Sequence, residues 1–536
     1  MKNKEIAAKF NLLAKLMELN GENQFKTRSY SSAYNTLRKF PKPFTEMSED
    51  DIKEIPGVGK AIQEKIMELT STGQMAILQK YLEVTPPGIV EMLMIKGLGP
   101  KKVDQLWKEL EIESPGELLY ACNENRLVEL KGFGAKTQTS IKEQIEYHLS
   151  SRDKFHYASL ESPAKNLLEE IQEQFPDELT EITGEIARRC QIVNQIEIIT
   201  TVNPIVLDAY LNDDGEHEYE GYPVIFIESE HESFWQIYIE TSSHESYLEH
   251  FGLEGIDGES EEDIYEKLEL DFHPAFVRDK ENIDWLHRNP FDESLIIADE
   301  DIKGVVHNHS TYSDGVNSLE EMARQTEKLS YEYLVMTDHS KSAFYANGLN
   351  EDRLLNQIEE IAELNNKLGI KVFTGIESDI LFNGDLDYSD DILKQLDVIV
   401  ASVHSVLKMD EEKATSRLIK AIENPYTRIL GHPTGRLLLS RKGYPVNFTK
   451  VIDACAANNV AIEMNANPYR LDMDWRFIQQ AMEAGVMISI NPDAHSIAGI
   501  SDIHYGVCAA SKGGLTKDMC LNTKGLKDFE TWIAQK

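Results

Sequence analysis

Short apolar runs alternate with segments of helical periodicity from residue 301 to the C-terminus. The segments between the runs, such as Asp352–Leu368 and Phe448–Asn458, are predicted helices. Strands that alternate with helices form a parallel sheet, so this pattern predicts an α/β fold with the sheet closed into a barrel. The seven predicted strands are Lys303–Val306, Tyr333–Met336, Lys371–Thr374, Asp397–Val403, Arg428–Leu430, Val460–Met464 and Val486–Ile490.

Three glycine pairs interrupt the helical periodicity of the first 150 residues. They stand in Ile55–Lys60, Ile95–Lys101 and Leu130–Lys136, each as Gly-apolar-Gly before a helix start. Glycine permits positive φ and close backbone approach, and the free N–H groups of the following helix suit phosphate. The pattern predicts three helix-hairpin-helix motifs that bind the DNA backbone without sequence specificity. The candidate DNA-binding residues are Gly57, Gly59, Lys60, Gly97, Gly99, Lys101, Gly132, Gly134 and Lys136.

The alternative for each hairpin is a tight turn that serves only packing. One hairpin would leave the two interpretations equally supported. Three hairpins, each with a lysine one or two residues after the glycine pair, favour DNA.

The length of 536 residues predicts about three or four domains. The 54 basic and 92 acidic residues give a net charge of −38. Taken over the whole chain, this charge argues against binding to nucleic acid, which is itself negatively charged. The charge is uneven, because residues 1–150 are neutral, residues 151–300 carry −29 and residues 301–536 carry −9. Most of the acidity therefore lies away from the glycine hairpins, and the total does not exclude a DNA substrate.

Nothing in the sequence indicates export or a membrane. No apolar run approaches the 18 or so residues of a membrane span, and the start MKNKEIAAKF lacks the apolar stretch of a signal peptide. We therefore expect a cytoplasmic protein without membrane contact. The five cysteines are odd in number and scattered along the chain, which argues against a disulfide framework and against a thiolate zinc site. They are Cys122, Cys190, Cys455, Cys508 and Cys520.

Metal-ligand residue types stand at the ends of six of the seven predicted strands. In a barrel of parallel strands the functional site lies at the C-terminal strand ends. Six of the seven histidines after residue 300 occupy these positions, the exception being His504, and the sixth strand ends in Asn465 instead. Residues i and i+2 of an extended chain face the same side, which would align His307 with His309 and Asp493 with His495. A single histidine there is more often a core or capping residue, but six in register predict a metal cluster.

The N-terminal region is similar to the lyase and fingers regions of family X DNA polymerases. The similarity rests on Gly21–Phe25, Ile55–Ile66 and Gly97–Lys102. It implies that Lys65 could form a Schiff base with an abasic sugar and that Lys26 lies near a 5′-phosphate. The alternative for Lys65 is an exposed helix lysine without a chemical role.

Residues 151–300 resemble the palm of the same family more weakly, and they depart from it at the catalytic positions. The two aspartate positions hold Gln195 and Glu197, and the third falls in the apolar run Tyr222–Ile227. Glu185 replaces the serine of the triphosphate-binding turn. Two-metal phosphoryl transfer needs carboxylates at fixed reach, and a charge of −29 repels template and nucleotide. We therefore expect no polymerase activity from this degenerate palm, which is predicted to be a scaffold or an interaction surface.

Residues 301–536 resemble the PHP (polymerase and histidinol phosphatase) family, in the form found in the bacterial PolX family. The similarity rests on His307–Gly315 and Gly431–Arg436. It implies three ions: a first held by His307, His309, Glu377 and Asp493, a second by Glu377, His404 and His432, and a third by Asp314, His339 and His495. Imidazole and carboxylate ligands suit Zn²⁺, Mn²⁺ or Fe²⁺. Arg436 is the candidate phosphate clamp, and a salt bridge at the barrel mouth is its alternative.

These parts together predict a multidomain α+β and α/β protein that binds DNA and hydrolyses phosphoesters. The predicted domains are a lyase-like domain (1–80), a fingers-like domain (81–150), the degenerate palm (151–300) and the PHP domain (301–536). The leading interpretation is a 3′→5′ exonuclease or DNA end-processing enzyme of repair, with repair-protein partners for the acidic middle domain. The alternatives are a phosphatase of the histidinol-phosphatase type, a gap-filling family X polymerase and a non-catalytic DNA-binding scaffold.

Overall fold

The computed structural model describes residues 3–38, 40, 42, 44–55, 58–95, 97–128, 130–149, 154–207 and 217–535. The chain forms two compact units, one of residues 1–123 with 127–151 and one of residues 124–126 with 152–536. The finer division into four domains stays a prediction.

The described part of the first unit is helical. Its longest helix buries Phe10, Leu13 and Met17, which recur at helical spacing. The helices are α1 (Asn3–Leu19), α2 (Gln24–Leu37), α3 (Glu49–Lys53), α4 (Lys60–Thr72), α5 (Ala76–Val84), α6 (Pro87–Met92), α7 (Pro100–Leu110), α8 (Pro115–Asn123) and α9 (Ala135–Leu149).

The second unit begins with a small mixed sheet. Its four strands lie in the order β2-β4-β6-β5, with β4 and β6 parallel, and β1 pairs separately with β3. The elements are β1 (Phe155–His156), α10 (Tyr157–Gln174), β2 (Thr180–Ile182), α11 (Gly184–Ala187), β3 (Ile192–Val193), β4 (Ile196–Thr200), α12 (Pro204–Leu207), β5 (Glu218–Tyr219), β6 (Tyr222–Glu228), α13 (Phe234–Thr241), α14 (Glu245–Phe251), α15 (Glu261–Lys267) and α16 (Ile283–Arg288).

A parallel barrel follows in the same unit. Its elements are β7 (Gly304–Asn308), α17 (Leu319–Lys328), β8 (Tyr333–Met336), α18 (Glu351–Leu364), β9 (Lys371–Asp379), α19 (Asp390–Leu393), β10 (Val398–Ser402), α20 (Glu411–Ile422), β11 (Ile429–Leu430), α21 (Phe448–Asn458), β12 (Ala461–Asn465), α22 (Ile478–Glu483), β13 (Ile488–Asn491), α23 (Ile503–Lys512) and α24 (Leu526–Ala534).

The seven strands β7 to β13 lie side by side in chain order, and every pair is parallel. A bridge between Asn308 and Ala494 joins the two edges, so the predicted barrel is confirmed. Successive side chains point to opposite faces: Val305 packs against α17, whereas Val306 packs with Phe529 and Trp532 of α24. Polar side chains such as His307, Glu377 and Asn465 follow the apolar residues of their strands at the C-terminal strand ends.

Candidate metal centre

Glu377, near the end of β9, is the centre of the predicted ligand set. Its Oε1 atom lies 3.3 Å from His307 Nε2, 3.0 Å from His404 Nε2 and 2.9 Å from His432 Nε2. Its Oε2 atom lies 2.9 Å from His339 Nδ1. One buried carboxylate thus faces imidazoles from four other strand ends, which suits a residue that bridges ions.

Two further carboxylates complete the set. Asp314 Oδ1 lies 3.6 Å from His339 Nε2 and 3.3 Å from His495 Nε2. Asp493 Oδ1 lies 3.0 Å from His309 Nε2 and 3.5 Å from His307 Nε2. The structure therefore brings all nine predicted ligands into one buried cluster: His307, His309, Asp314, His339, Glu377, His404, His432, Asp493 and His495.

The backbone at two ligands differs from the extended form that was expected. His307 has φ +63° and Asp493 has φ +53°, both in the left-handed region that non-glycine residues rarely adopt. The pairing of β7 with β8 shifts register between Val305 and Asn308, and β13 ends at Asn491. Simple strand alternation is therefore the wrong reason for the alignment of these pairs. Strained backbone of this kind clusters at functional sites.

The residues present fit divalent metal ions. Several buried nitrogen and oxygen atoms of the cluster lack a well-aligned hydrogen bond in the described structure. Among them are His307 Nε2, His309 Nδ1, both Asp314 carboxylate oxygens and His432 Nδ1. Buried polar atoms are rarely left so, because the lost hydration is costly. Metal ions would satisfy these atoms, and three to four ligand atoms at a time already lie within 4.8 Å of one another.

The protonation states of the carboxylates and of His309 suit metal ligands as well. Although burial works in the opposite direction, the surrounding histidines hold the pKa values of Glu377 and Asp493 well below the usual carboxyl range. Burial, with His495 and His339 nearby, lowers the pKa of His309 to about 3. The carboxylates are therefore ionised and His309 is neutral at pH 7, as metal binding requires. Against the effect of burial, neighbouring carboxylates raise the pKa of His404 to about 9 and the pKa values of His307 and His495 well above the usual imidazole value, so a bound ion would displace a proton from these three rings.

Two supporting carboxylates escaped the sequence analysis. The Nδ1–H group of His307 donates to Glu463 Oε2 at 2.6 Å, and that of His404 donates to Asp379 Oδ1 at 2.5 Å. Such outer carboxylates fix the ring orientation of metal-bound histidines. A signal existed, since Asp379 follows Glu377 by two residues and Glu463 precedes Asn465 by two on the sixth strand.

Glu124 is a third carboxylate that the sequence analysis missed. It belongs to the short segment 124–126 of the second unit and is 2% exposed. Its Oε2 atom lies 2.8 Å from His495 Nε2, and it forms a possible ligand group with Asp493 and His495. No strand-end pattern points to it, because it stands far before the barrel in the sequence.

The side chain of Arg436 is held by partners within the protein. Its guanidinium binds Asp474 Oδ2 at 2.6 Å and also donates to Gln191 and to the carbonyl oxygens of Arg470 and Leu471. These contacts fit the salt-bridge alternative. A phosphate clamp, which stays a prediction, would require Arg436 to exchange partners.

The hairpins of the first unit present open backbone. Gly97 and Gly132 have φ +89° and +93°, and Gly59, Gly99 and Gly134 directly precede α4, α7 and α9. A Cβ atom at any of these five glycines would meet nothing within 4 Å. Lys60, Lys101 and Lys136 are exposed in the first turn of their helices. Gly57 lies outside the described residues.

The two lysines with implied roles toward damaged DNA hold acidic neighbours. Lys65 Nζ lies 2.5 Å from Glu68 Oε2, and Lys26 Nζ lies 3.3 Å from Glu22 Oε2. The lyase role of Lys65 stays a prediction, which borohydride trapping on abasic DNA can test.

In the palm-like sheet, the residue paired with Glu197 on the neighbouring strand is not a carboxylate. Glu197 on β4 pairs with Ile225 on β6, and Gln195 donates to the Glu197 carboxylate at 2.8 Å. Glu185 accepts hydrogen bonds from the Asn194 backbone and side chain. A neutral amide and an apolar side chain thus stand where two ions would need carboxylates.

The chain matches three family models. They are a helix-hairpin-helix domain at residues 1–75, a SAM-like helix-hairpin-helix tandem at 89–146 and a PHP domain at 306–467. These matches confirm the predicted hairpin domains and PHP domain. None of the helices in the described part of the chain has the length and apolarity that crossing a bilayer requires.

The chain is also similar to individual proteins, some over its full length and some over part of it. The chain is 30% identical to a probable phosphatase of Thermoanaerobacter sp. (strain X514), over 40% of this chain and 89% of the relative. A solved histidinol phosphate phosphatase from Lactococcus lactis aligns with 40% of this chain and 94% of its own, at 16% identity and a TM-score of 0.31. The DNA polymerase/3′-5′ exonuclease PolX of Bacillus subtilis (strain 168) is 31% identical over 99% of both chains. This chain therefore belongs to the PolX family, which joins helix-hairpin-helix domains to a PHP domain of the metal-dependent phosphoesterase type.

Proposed function

We propose that this protein is a metal-dependent 3′→5′ exonuclease that processes DNA ends during repair. The observation that carries the proposal is the single buried cluster of nine imidazole and carboxylate ligands around Glu377. The hairpin domains supply a means of holding DNA backbone, and the Bacillus subtilis relative is named a 3′-5′ exonuclease. A DNA substrate is consistent with the predicted cytoplasmic location.

The ligand set supports three ions of Mn²⁺, Zn²⁺ or Fe²⁺. We assign His307, His309, Glu377 and Asp493 to the first, and Glu377, His404 and His432 to the second. Asp314, His339 and His495 would hold the third. Divalent ions bound there would supply a water activated for attack at neutral pH and positive charge that stabilises the phosphoryl oxygens.

The chain's own residues prepare this site in two ways. Glu463 and Asp379 each accept a hydrogen bond from a histidine Nδ1 atom, which directs Nε2 of His307 and His404 towards Glu377. The positions of the donors are therefore fixed before substrate arrives, which lowers the reorganisation cost of catalysis. Burial of the whole ligand set also keeps bulk water from the ligand atoms.

We propose that polymerase activity has been lost from the middle region. The support is the replacement of carboxylates by Gln195 and Ile225 beside Glu197, together with the net charge of −29 on residues 151–300. The acidic region could then contact basic surfaces of repair proteins.

A small-molecule phosphatase is the main competing function. The relatives named probable phosphatases match only part of this chain, and the first of them covers 40% of it. The hairpin domains, which a free small ester does not need, favour DNA. A non-catalytic scaffold would have no need for nine buried ligands in one cluster.

A comparison of substrates tests this choice. Purified protein with Mn²⁺ is incubated with 3′-labelled single-stranded or gapped DNA, p-nitrophenyl phosphate and histidinol phosphate, as wild type and as His309→Ala. We expect nucleotide release that His309→Ala reduces at least about 100-fold, since even outer-sphere partners of a metal cost 10- to 100-fold. Hydrolysis of only the small esters would establish the phosphatase instead, and no turnover would favour the scaffold.

A further inference from the structure

A second cluster of metal-ligand side chains lies where α10 packs against α23. It is separate from the nine-residue ligand cluster around Glu377, which we call the Glu377 centre. His504 and Cys508 stand four residues apart on α23, so both side chains emerge on the same helix face. Glu161 on α10 faces them although 343 residues separate it from His504. The cluster is defined by these three residues, and we call it the α10–α23 cluster.

The ligand atoms of this cluster lie close enough together for one ion to contact all three. His504 Nε2 lies 2.9 Å from Glu161 Oε1 and 3.6 Å from Cys508 Sγ, and one ligand atom from each residue lies within 4.8 Å of the others. Zinc binds nitrogen and oxygen at about 2.0–2.2 Å and sulfur at about 2.3 Å, which places a tetrahedral nitrogen–sulfur pair about 3.6 Å apart and a nitrogen–oxygen pair about 3.4 Å apart. The separation of His504 from Cys508 matches, whereas Glu161 Oε1 lies at hydrogen-bond distance and would move outward by about 0.5 Å when an ion binds. Glu161 and Cys508 are buried, whereas His504 is about one third exposed, which leaves a path for an ion and a water.

The hydrogen bonds around the cluster would support a metal-bound histidine once an ion displaces the proton on Nε2. Asp299, Cys508 and Glu161 hold that proton, because they raise the pKa of His504 to about 12. The Nδ1–H group of His504 donates to Asp299 Oδ2 at 2.8 Å, which leaves Nε2 to face Glu161 and Cys508. A carboxylate on the far ring nitrogen commonly supports histidine ligands. Tyr157 and Lys165 also donate to Glu161 Oε1, at 3.1 and 2.8 Å. Lys165 is largely exposed, so it can leave the carboxylate when an ion replaces it.

We propose that Glu161, His504 and Cys508 form a divalent metal site, selective for Zn²⁺ or Co²⁺, that ties the palm-like region to the PHP barrel. One thiolate with one imidazole and one carboxylate favours these ions over Mg²⁺ or Ca²⁺. The spacing of the cysteines predicted no thiolate zinc site, because the third ligand comes from a distant helix. Binding would release the proton of the Cys508 thiol and any proton on His504 Nε2.

Cobalt absorption tests the proposal in the full-length protein. Protein freed of metal with a chelator and kept reduced is titrated with Co²⁺, and the near-ultraviolet thiolate-to-cobalt charge-transfer band is recorded. The Glu377 centre has no sulfur ligand, so this band reports the α10–α23 cluster alone. We expect a band whose maximum intensity corresponds to one sulfur-ligated Co²⁺ ion per chain. The band should vanish in Cys508→Ser and persist in the control Cys190→Ser. One further equivalent of Zn²⁺ should bleach it.

A second variant keeps the test valid if Cys508→Ser does not fold. His504→Gln changes a partly exposed side chain, and it should weaken the Co²⁺ affinity of the sulfur-containing site at least ten-fold. Nuclease activity at saturating Mn²⁺ should be unchanged in His504→Gln if the site is structural. A wild type without the band would show that the cluster is only an ion pair of His504 with Glu161 and Asp299, and would overturn the proposal. A band that survives Cys508→Ser would overturn it as well.

Discussion

The Nδ1–H group of His307 donates to Glu463 Oε2 across 2.6 Å, and both side chains are fully buried. Glu463 also accepts from the His432 backbone N–H and from the Asn465 and Asn491 side chains, so its carboxylate is held in place. One residue on β12 thereby sets the direction in which a ligand on β7 presents Nε2.

The variant Glu463→Gln should reduce metal affinity and nuclease rate by about 10- to 100-fold, because an amide holds the His307 ring less strongly than a carboxylate does. Metal content after dialysis and nucleotide release are the two measurements. Glu359→Gln on α18, which is exposed, serves as the matched control. Unchanged metal content and rate in Glu463→Gln would mean that this carboxylate has no part in orienting His307.

The exposed hairpin lysines should govern how DNA affinity depends on salt. Replacing Lys101 or Lys136 by alanine removes one phosphate contact, so the slope of log K against log salt should become shallower by about 0.7–0.9 for each. Affinity should fall by a similar factor for different DNA sequences, since backbone contacts carry no sequence information. Fluorescence anisotropy titrations at several salt concentrations measure the slope. The exposed Lys527→Ala on α24 is the control, and a slope equal to the control's would exclude the hairpins as the DNA contact.

The middle region should not extend a primer. A gapped duplex with all four nucleotides and Mg²⁺ or Mn²⁺ should give no product longer than the primer, because Gln195 and Ile225 cannot bind an ion with Glu197. The Bacillus subtilis PolX protein, named a DNA polymerase, is the positive control. Template-dependent extension by the protein with its Glu377 centre inactivated would prove that polymerase activity has been retained.

A buried histidine of the middle region should make stability depend on pH. Burial, with the Arg278 guanidinium nearby, lowers the pKa of His273 to about 4, and its Nδ1 atom lies 2.6 Å from Tyr247 Oη. The unfolded chain then binds the proton more readily, so stability is fully present above about pH 6.5 and is lost as pH falls towards 4. The shift corresponds to at most about 3 kcal/mol.

The comparison of wild type with His273→Gln isolates this effect. The Tm advantage of the wild type should be largest near pH 7 and should shrink steadily towards pH 4.5. Thermal unfolding followed by circular dichroism measures it. A Tm difference that stays constant over this range would show that His273 binds protons equally in the folded and unfolded chains.

The sequence predicted the barrel well because its strands are buried on both faces. Tyr333–Met336 and Phe448–Asn458 have the same bounds in the structure as in the prediction, since apolar runs and helical periodicity directly encode them. The strand Lys371–Asp379 is five residues longer than predicted, because it continues through its polar end at Glu377 and Asp379. A hydropathy pattern cannot show that polar residues are buried around a cluster of charges.

The members of the Glu377 cluster could be predicted from sequence, but their supporting contacts could not. His307 and Glu463 are separated by 156 residues, and only the closed barrel brings them together. The same holds for Glu161 and His504. Arg436 shows the opposite case, because its residue type suggested a phosphate clamp whereas its contacts depend on Asp474 and Gln191 from other parts of the fold.

The direction of DNA degradation by the Glu377 centre tests the central claim most directly. Single-stranded DNA labelled at either the 3′ or the 5′ end is digested with Mn²⁺ by wild type and by Glu377→Gln, and products are resolved over time. We predict that the 3′ label is released first as a mononucleotide, that the 5′ label stays on steadily shortening fragments, and that Glu377→Gln is slower by at least about 100-fold. Early release of a 5′-labelled mononucleotide, or an equal rate in Glu377→Gln, would contradict the account.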